Sequence, residues 1–343
     1  MWVASNGGKY NEELEAFGIH TVKVPLHNKH PKNMLKSKKI LKELIQKEGI
    51  ELVHSHTRIS SFVLGLLQKK MKFPYVTTAH WTFKVTPLLK LMTNWGEGTV
   101  AVSEDIKTYL IKNYKVPEDN IIVTVNGIDT DKFSKNIDYK DILREFSLKE
   151  DSQKIVYISR LDSSRALVAK QLVEIAENLD KKLDNLEIVI VGGGDSFDEI
   201  SQKANEINEK LGKKLITLTG ARIDINKFTA LGKIFIGVSR AALEAMAAEK
   251  PTIIAGNEGY IGIFDESKLQ SGIETNFCCR GLEQSTSETL EKDIIELMKK
   301  SDKSLEMMGF YNRETVQKYY SVEKMTNDCE KMYKKVLEIH KKA

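Results

Sequence analysis

KIVYIS (154–159), LEIVIVG (186–192), LITLTG (215–220), KIFIGV (233–238) and PTIIAG (251–256) are short, β-branched, nearly all-apolar runs with longer segments of helical character between them. Continuous apolar runs of this length read as strands buried on both faces, and intervening helices make their connections parallel crossovers. The stretch therefore reads as an open, doubly wound α/β sheet. Upstream, TVKVPL (21–26), ELVHSH (51–56), YVTTAH (75–80), GTVAVS (98–103) and NIIVTV (120–125) repeat the pattern, with KSKKILKELIQKEG and SEDIKTYLIKNY as helices between them. Ser103, followed by Glu104 and Asp105, predicts a helix start with a hydroxyl cap and acids at the positive end of the dipole.

A chain of 343 residues is too long for one ordinary core and suits two. The turn NGIDTDKF (126–133) offers an Asn-Gly pair for positive φ, which places the crossing there. The expected domains are 1–127, joined by a C-terminal helix over 322–343, and 128–321. In that helix Met325, Met332, Val336 and Ile339 share a helical spacing and are expected in the core. MWVASNGG (1–8) reads as a strand end and its turn, without the βα unit that normally opens such a sheet.

Composition, at 41% hydrophobic and 29% charged, excludes disordered, fibrous and disulfide-stapled classes. Cys278, Cys279 and Cys329 form no CxxC pair, so no zinc site is expected and a reducing cytoplasm suits them. No apolar run approaches the ~20 residues that span a bilayer. The net charge is only +4, yet Lys23, Lys29, Lys32, Lys36, Lys38, Lys39 and Lys42 precede the first acid of their region, Glu43. That stretch is either a solvated helix face with its preceding loop or an attraction to an anionic membrane surface or a phosphate-bearing acceptor. Nucleic acid is not expected, because no aromatic side chain interleaves the lysines.

Ligands of open α/β sheets bind beyond the carboxyl ends of the strands. In SRLDSSR, Arg160 leaves a strand and Arg165 stands near the next helix start, two guanidiniums that can grip a diphosphate unless Arg165 simply pairs with a surface acid. Gly193 and Gly194, in the run after IVIV, permit close backbone approach but are also ordinary loop residues. Thr219, Gly220 and Arg222 follow the next strand, where a base edge or a plain connection fits equally. Glu244 lies mid-helix among small residues; a ribose diol would satisfy it, as would Arg240 four residues earlier.

Together these segments resemble the retaining glycosyltransferases of the GT-B fold, family 4. HSHTRISS, TTAHWTF, AVSEDI, NGIDTDKF, SRLDSSR, IVGGGD, LTGARIDI and ALEAMAAEKPTIIAG occur in the family's order over nearly the whole chain. The resemblance implies two Rossmann-like domains facing a cleft, with the nucleotide-sugar donor held by the C-terminal one. It implies that Arg160 and Arg165 bind the diphosphate and that Glu244, matching the second glutamate of the EX7E motif, binds the ribose. Gly256, Asn257 and Glu258 would line the donor pocket, and His80 would stand near the sugar and acceptor. A UDP- or GDP-sugar, a polysaccharide, glycolipid or lipid-linked acceptor, retention of configuration and no metal or other cofactor are implied too. Two departures stand out: Ile236 replaces the first EX7E glutamate, and the opening βα unit is missing. They leave a catalytically impaired nucleotide-sugar-binding protein, or a nucleotide-sugar 2-epimerase on the same fold, as alternatives.

Overall fold

A computed structural model describes residues 1–8 and 10–342. They form two compact units, Met1–Thr124 with Thr326–Ala343, and Val125–Met325. The first unit runs β1 (Trp2–Ser5), α1 (Asn11–Ala16), β2 (His20–Lys23), α2 (Pro31–Lys47), β3 (Val53–Ser55), α3 (Arg58–Met71), β4 (Tyr75–Ala79), α4 (Pro87–Leu91), β5 (Gly98–Ala101), α5 (Glu104–Tyr114) and β6 (Ile121–Val123). The second runs α6 (Lys140–Glu145), β7 (Gln153–Ile158), α7 (Leu167–Lys182), β8 (Leu186–Val191), α8 (Phe197–Leu211), β9 (Ile216–Leu218), α9 (Ile225–Leu231), β10 (Ile234–Gly237), α10 (Ser239–Ala247), β11 (Thr252–Gly256), β12 (Gly259–Ile263), α11 (Leu269–Glu274), α12 (Ser287–Met298) and α13 (Asp302–Tyr320). The last helix, α14 (Val322–Lys342), returns the chain to the first unit.

In the second unit the strand order is β12-β11-β10-β7-β8-β9, parallel except for β12, which pairs antiparallel with β11. Every residue of β8, β10 and β11 is buried, as their nearly all-apolar runs require, and the one charged residue among them, Glu187, lies 3.7 Å from Lys154 of β7. Strands β7, β8 and β9 lead outward one way and β10 returns to the other side of β7, which makes the β7/β10 boundary the switch point. Sequence reading supplied no separate strand for GYIGI; it is β12, an edge strand whose turn is made by the 256–259 loop.

The first unit holds a two-stranded parallel sheet, β1-β2, and a four-stranded parallel sheet, β3-β4-β5-β6. One hydrophobic cluster spans both, with Val24, Leu41, Ile45, Val63, Leu64, Leu67, Phe73 and Tyr75 buried in it. Two expectations need correction. Ser103 sits at the start of α5, but its hydroxyl donates to the Asp105 carboxylate instead of capping a backbone N–H. In α14, Met332 and Val336 pack on Val76 and Val100, whereas Ile339 is 44% exposed. The buried stripe passes instead through His340, four residues after Val336, whose Nε2 lies 2.7 Å from Glu97.

Candidate functional site

The edge of the second sheet where β7, β8, β10 and β11 end carries most of the residues singled out by sequence. Arg160 and Arg165 converge on one carboxylate: Arg160 Nε is 4.0 Å, and Arg165 Nη1 3.4 Å, from Asp162 Oδ2. Both guanidiniums are well exposed, at 69% and 40% of their side-chain surface. Asp162 therefore occupies the place a dianionic group would contest. The first turn of α7 contains no acid, so the positive end of its dipole is not neutralised from within the helix.

The other loops pack onto this one. Asn257 Oδ1 accepts from Leu167 N at 3.2 Å, which ties the β11 loop to the head of α7. A Cβ at Gly192 would meet Ser159 O at 1.7 Å and one at Gly194 would meet the Leu161 carbonyl carbon at 2.4 Å, with φ of +147° and +159°. The glycine run is thus explained by two backbones pressed together, sealed by Leu161 N→Gly193 O at 3.0 Å and Ser196 N→Leu161 O at 2.9 Å. Gly256 is held likewise, since a Cβ there would meet Val238 at 2.8 Å.

Glu244 is 7% exposed and takes the bland partner foreseen for it, accepting from Arg240 Nε at 2.7 Å. Burial still pushes its carboxyl pKa up, against the opposing pull of Arg240 and, more weakly, Lys132. Thr219 bonds to the Gly220 carbonyl, and Gly220 O accepts from Gly192 N at 3.0 Å, so this pair closes the β8–β9 edge. Arg222 is committed elsewhere. It grips Asp224 at 2.9 Å and Glu145 at 2.5 and 2.9 Å, and its guanidinium carbon lies 5.5 Å from the Phe146 ring and 5.6 Å from the Phe228 ring. These carboxylates raise its pKa further and give it a structural bond to α6. Ile236 is 0% exposed inside an apolar cluster of β10, so this position faces the core of the sheet.

Sequence reading missed two features here. Asp162 was in plain view three residues before Arg165, at the spacing of a local ion pair. Arg280 was not legible: it reaches Glu258 at 3.3 Å from a segment held in positive φ at Asn276, Phe277 and Cys279 (+51°, +55° and +59°). That segment binds the head of α10, Phe277 O accepting from Ser239 N at 2.7 Å, with Ser239 itself at φ +52°. Four non-glycine residues in this region cost about 1–3 kcal/mol each and persist where surrounding contacts impose them.

In the first unit His80 follows β4 and joins two histidines from the end of β3. His56 Nδ1 lies 3.2 Å from His80 Nε2, and His54 stacks on His56 with ring centroids 4.3 Å apart. His54 is anchored at both nitrogens, to Tyr333 and Thr78 hydroxyls at 2.7 Å each. Burial, then the neighbouring His56 and His80, push its pKa down to about 3, so the imidazole is neutral at ordinary pH. The cavity here, lined by His56, Arg58, Thr78, His80, Phe83 and Trp95, is about 30 Å³, room for a water molecule and not for a sugar ring. His54 and His56 were visible in HSHT, but only His80 was selected. Among the described residues no group of three or more His, Cys, Asp or Glu side chains could hold a metal ion, and no helix is long and apolar enough to cross a membrane.

Comparison with known proteins places this geometry in a family. Residues 2–132 match Glycosyltransferase Family 4, and residues 138–315 match Glycosyl transferases group 1. The uncharacterized glycosyltransferase MJ1607 of Methanocaldococcus jannaschii is 22% identical over 265 residues, 68% of this chain and 66% of that protein. The uncharacterized glycosyltransferase MJ1178 of the same organism is 25% identical over 284 residues, 77% of this chain and 73% of its own. A crystal structure of a glycosyltransferase from Rickettsia africae superposes with a TM-score of 0.76 at 23% identity, covering 98% of this chain and 90% of that one. Anabaena Alr3699/HepE in complex with UDP gives 0.68 at 14% identity, covering 100% and 92%. The two parallel-sheet units are those of the GT-B fold, and the chain belongs to the glycosyl transferases group 1 family.

Proposed function

We propose that the protein transfers a sugar from a UDP- or GDP-sugar to a polysaccharide, glycolipid or lipid-linked acceptor, with retention of configuration. One observation carries the reading: two guanidiniums meet beside the head of α7 at the switch point of a doubly wound sheet. When the bond from the sugar's C1 to the phosphate oxygen breaks, negative charge grows on the diphosphate, and fixed cations stabilise that charge most where water is scarce. The bond from C1 to the acceptor oxygen forms, and the acceptor proton passes to the departing phosphate oxygen. Arg160 and Arg165 supply the charge without help from a metal. Glu244 and Arg240 are assigned to the nucleoside, and the Gly193–Gly194, Thr219–Gly220 and Gly256–Glu258 loops to the walls around it. That Alr3699/HepE was solved with UDP and with UDP-glucose favours a uridine donor.

His80, with His56, is assigned to the acceptor side. The exposed lysines of α2 favour an acceptor at an anionic membrane face of the cytoplasm: Lys32 and Lys36 lie near the helix N-terminus, where positive charge opposes the dipole and does not help the helix. The buried Ile236 favours the second reading, a protein that binds nucleotide sugars without transferring them. The two separate in one assay. Incubation with UDP- and GDP-sugars and membrane lipid extract should release nucleoside diphosphate only when extract is present; nucleotide binding without such release, across the donor panel, would reject transfer.

A further inference from the structure

A groove of about 670 Å³ lies in the second unit between the turn after β12 and one face of α13. Tyr311, Glu314, Thr315 and Lys318 recur at helical spacing along that face, with Tyr319 beside them and Glu266 opposite. Because β12 runs antiparallel to β11, with Gly256 opposite Gly259 and Ile253 opposite Ile263, Glu266 sits at the other edge of the sheet from Arg160 and Asn257. The groove is not part of the site above.

Its lining is mostly exposed charge and half-buried tyrosine. Neither the Glu266 nor the Glu314 carboxylate has a hydrogen-bond or ion-pair partner among the described residues. The Tyr311 hydroxyl is buried; Thr315 bears on it, yet no hydrogen bond of normal geometry forms. Phe264 backs the Tyr311 ring at 6.2 Å, and the Lys318 ammonium stands 4.9 Å from the centre of the Tyr319 ring. Two carboxylates repel phosphate-bearing guests. Lys318, already present as a cation, weakens the case for an ammonium guest, and an apolar guest would leave both carboxylates desolvated. A neutral polyol meets every demand: its hydroxyls donate to the carboxylates and accept from Lys318, while a ring's C–H face lies on tyrosine. The volume falls within the ~300–1,000 Å³ of small-molecule sites.

We propose that this groove is a second carbohydrate subsite, holding neutral pyranose units of a glycan at a distance from the donor-binding edge. The assignment stands whether or not the protein transfers sugars. Maltotriose, cellotriose and chitotriose, titrated to ~50 mM in the presence of saturating UDP and followed by calorimetry and saturation-transfer NMR, test it, with spermidine as the cationic control. At least one trisaccharide should bind, and Tyr319→Ala and Glu314→Gln should each weaken it about tenfold while leaving UDP affinity unchanged, with the exposed Glu314→Gln also leaving the melting temperature unchanged. No trisaccharide binding, binding indifferent to both substitutions, or binding of spermidine alone would overturn it.

Discussion

Replacing Asp162 by Asn should tighten the binding of inorganic pyrophosphate. This carboxylate lies 4.0 Å from Arg160 Nε and 3.4 Å from Arg165 Nη1, so any incoming diphosphate must displace or share it. At these distances each attraction is ~1 kcal/mol in water and ~4 kcal/mol at an effective dielectric of about 20. The 69% and 40% exposure of the two side chains puts the pairs near the watery limit. Removing the competitor should therefore release about 1–2 kcal/mol, a gain of roughly 5- to 30-fold in pyrophosphate affinity. The turn should survive, because Asn keeps an oxygen to accept from Ser164 N, now bonded to Asp162 Oδ1 at 3.1 Å. Calorimetry at low and high salt reads both the gain and its electrostatic origin, since screening should shrink it. Unchanged or weaker binding by a variant with wild-type melting would refute the reasoning and make Asp162 an aligner of the arginines instead of their competitor.

Gly194→Ala should destabilise the second unit by about 2–3 kcal/mol and lower its melting temperature by ~4–12 °C, because the new Cβ has only 2.4 Å to the Leu161 backbone at φ +159°; a fall under ~2 °C in calorimetry would contradict the packing argument. Glu244→Gln should weaken UDP more than pyrophosphate; equal weakening would remove the nucleoside role. Burial raises the Glu244 pKa, so its charge costs stability that is lost as pH rises through the raised value. The neutral Gln should then melt no lower than wild type at pH ~7.5, and a lower midpoint would show the Arg240 pair outweighing desolvation. His54 works in the opposite sense: a folded pKa of about 3 against 6.5 means the unfolded chain binds more protons between those values. First-unit stability should fall by up to ~1.4 kcal/mol per pH unit below ~6.5, His54→Asn should flatten that slope, and identical slopes would reject the neutral-imidazole assignment.

The alternation of apolar runs and helical segments made the second sheet legible almost strand for strand, because strands buried on both faces are mostly apolar, and their few polar residues, such as Lys154 and Glu187, sit at the strand starts. GYIGI escaped because an antiparallel edge strand interrupted by two glycines lacks the apolar continuity of its neighbours. In the first unit the strands were legible but their division into a pair and a quartet was not, since pairing depends on contacts that no local period encodes. At the site, Arg160 and Arg165 were found by their place after a strand and Asn257 through the family resemblance, and the structure brings them to one edge. Arg222 had the same address, yet Glu145, far away in sequence, claims it. Arg280 could not be found because what positions it is the backbone conformation of Asn276, Phe277 and Cys279, residues that carry no sequence preference for positive φ comparable to glycine's.

Calorimetric titration of UDP and GDP into wild-type protein and into the Arg160→Ala, Arg165→Ala double variant tests the central assignment most directly. With two charge-assisted contacts removed at about 1.5–3 kcal/mol each, the preferred nucleotide should bind at least ~100-fold more weakly to a variant that melts like wild type. Equal affinity in the two proteins would mean that the diphosphate is held somewhere else.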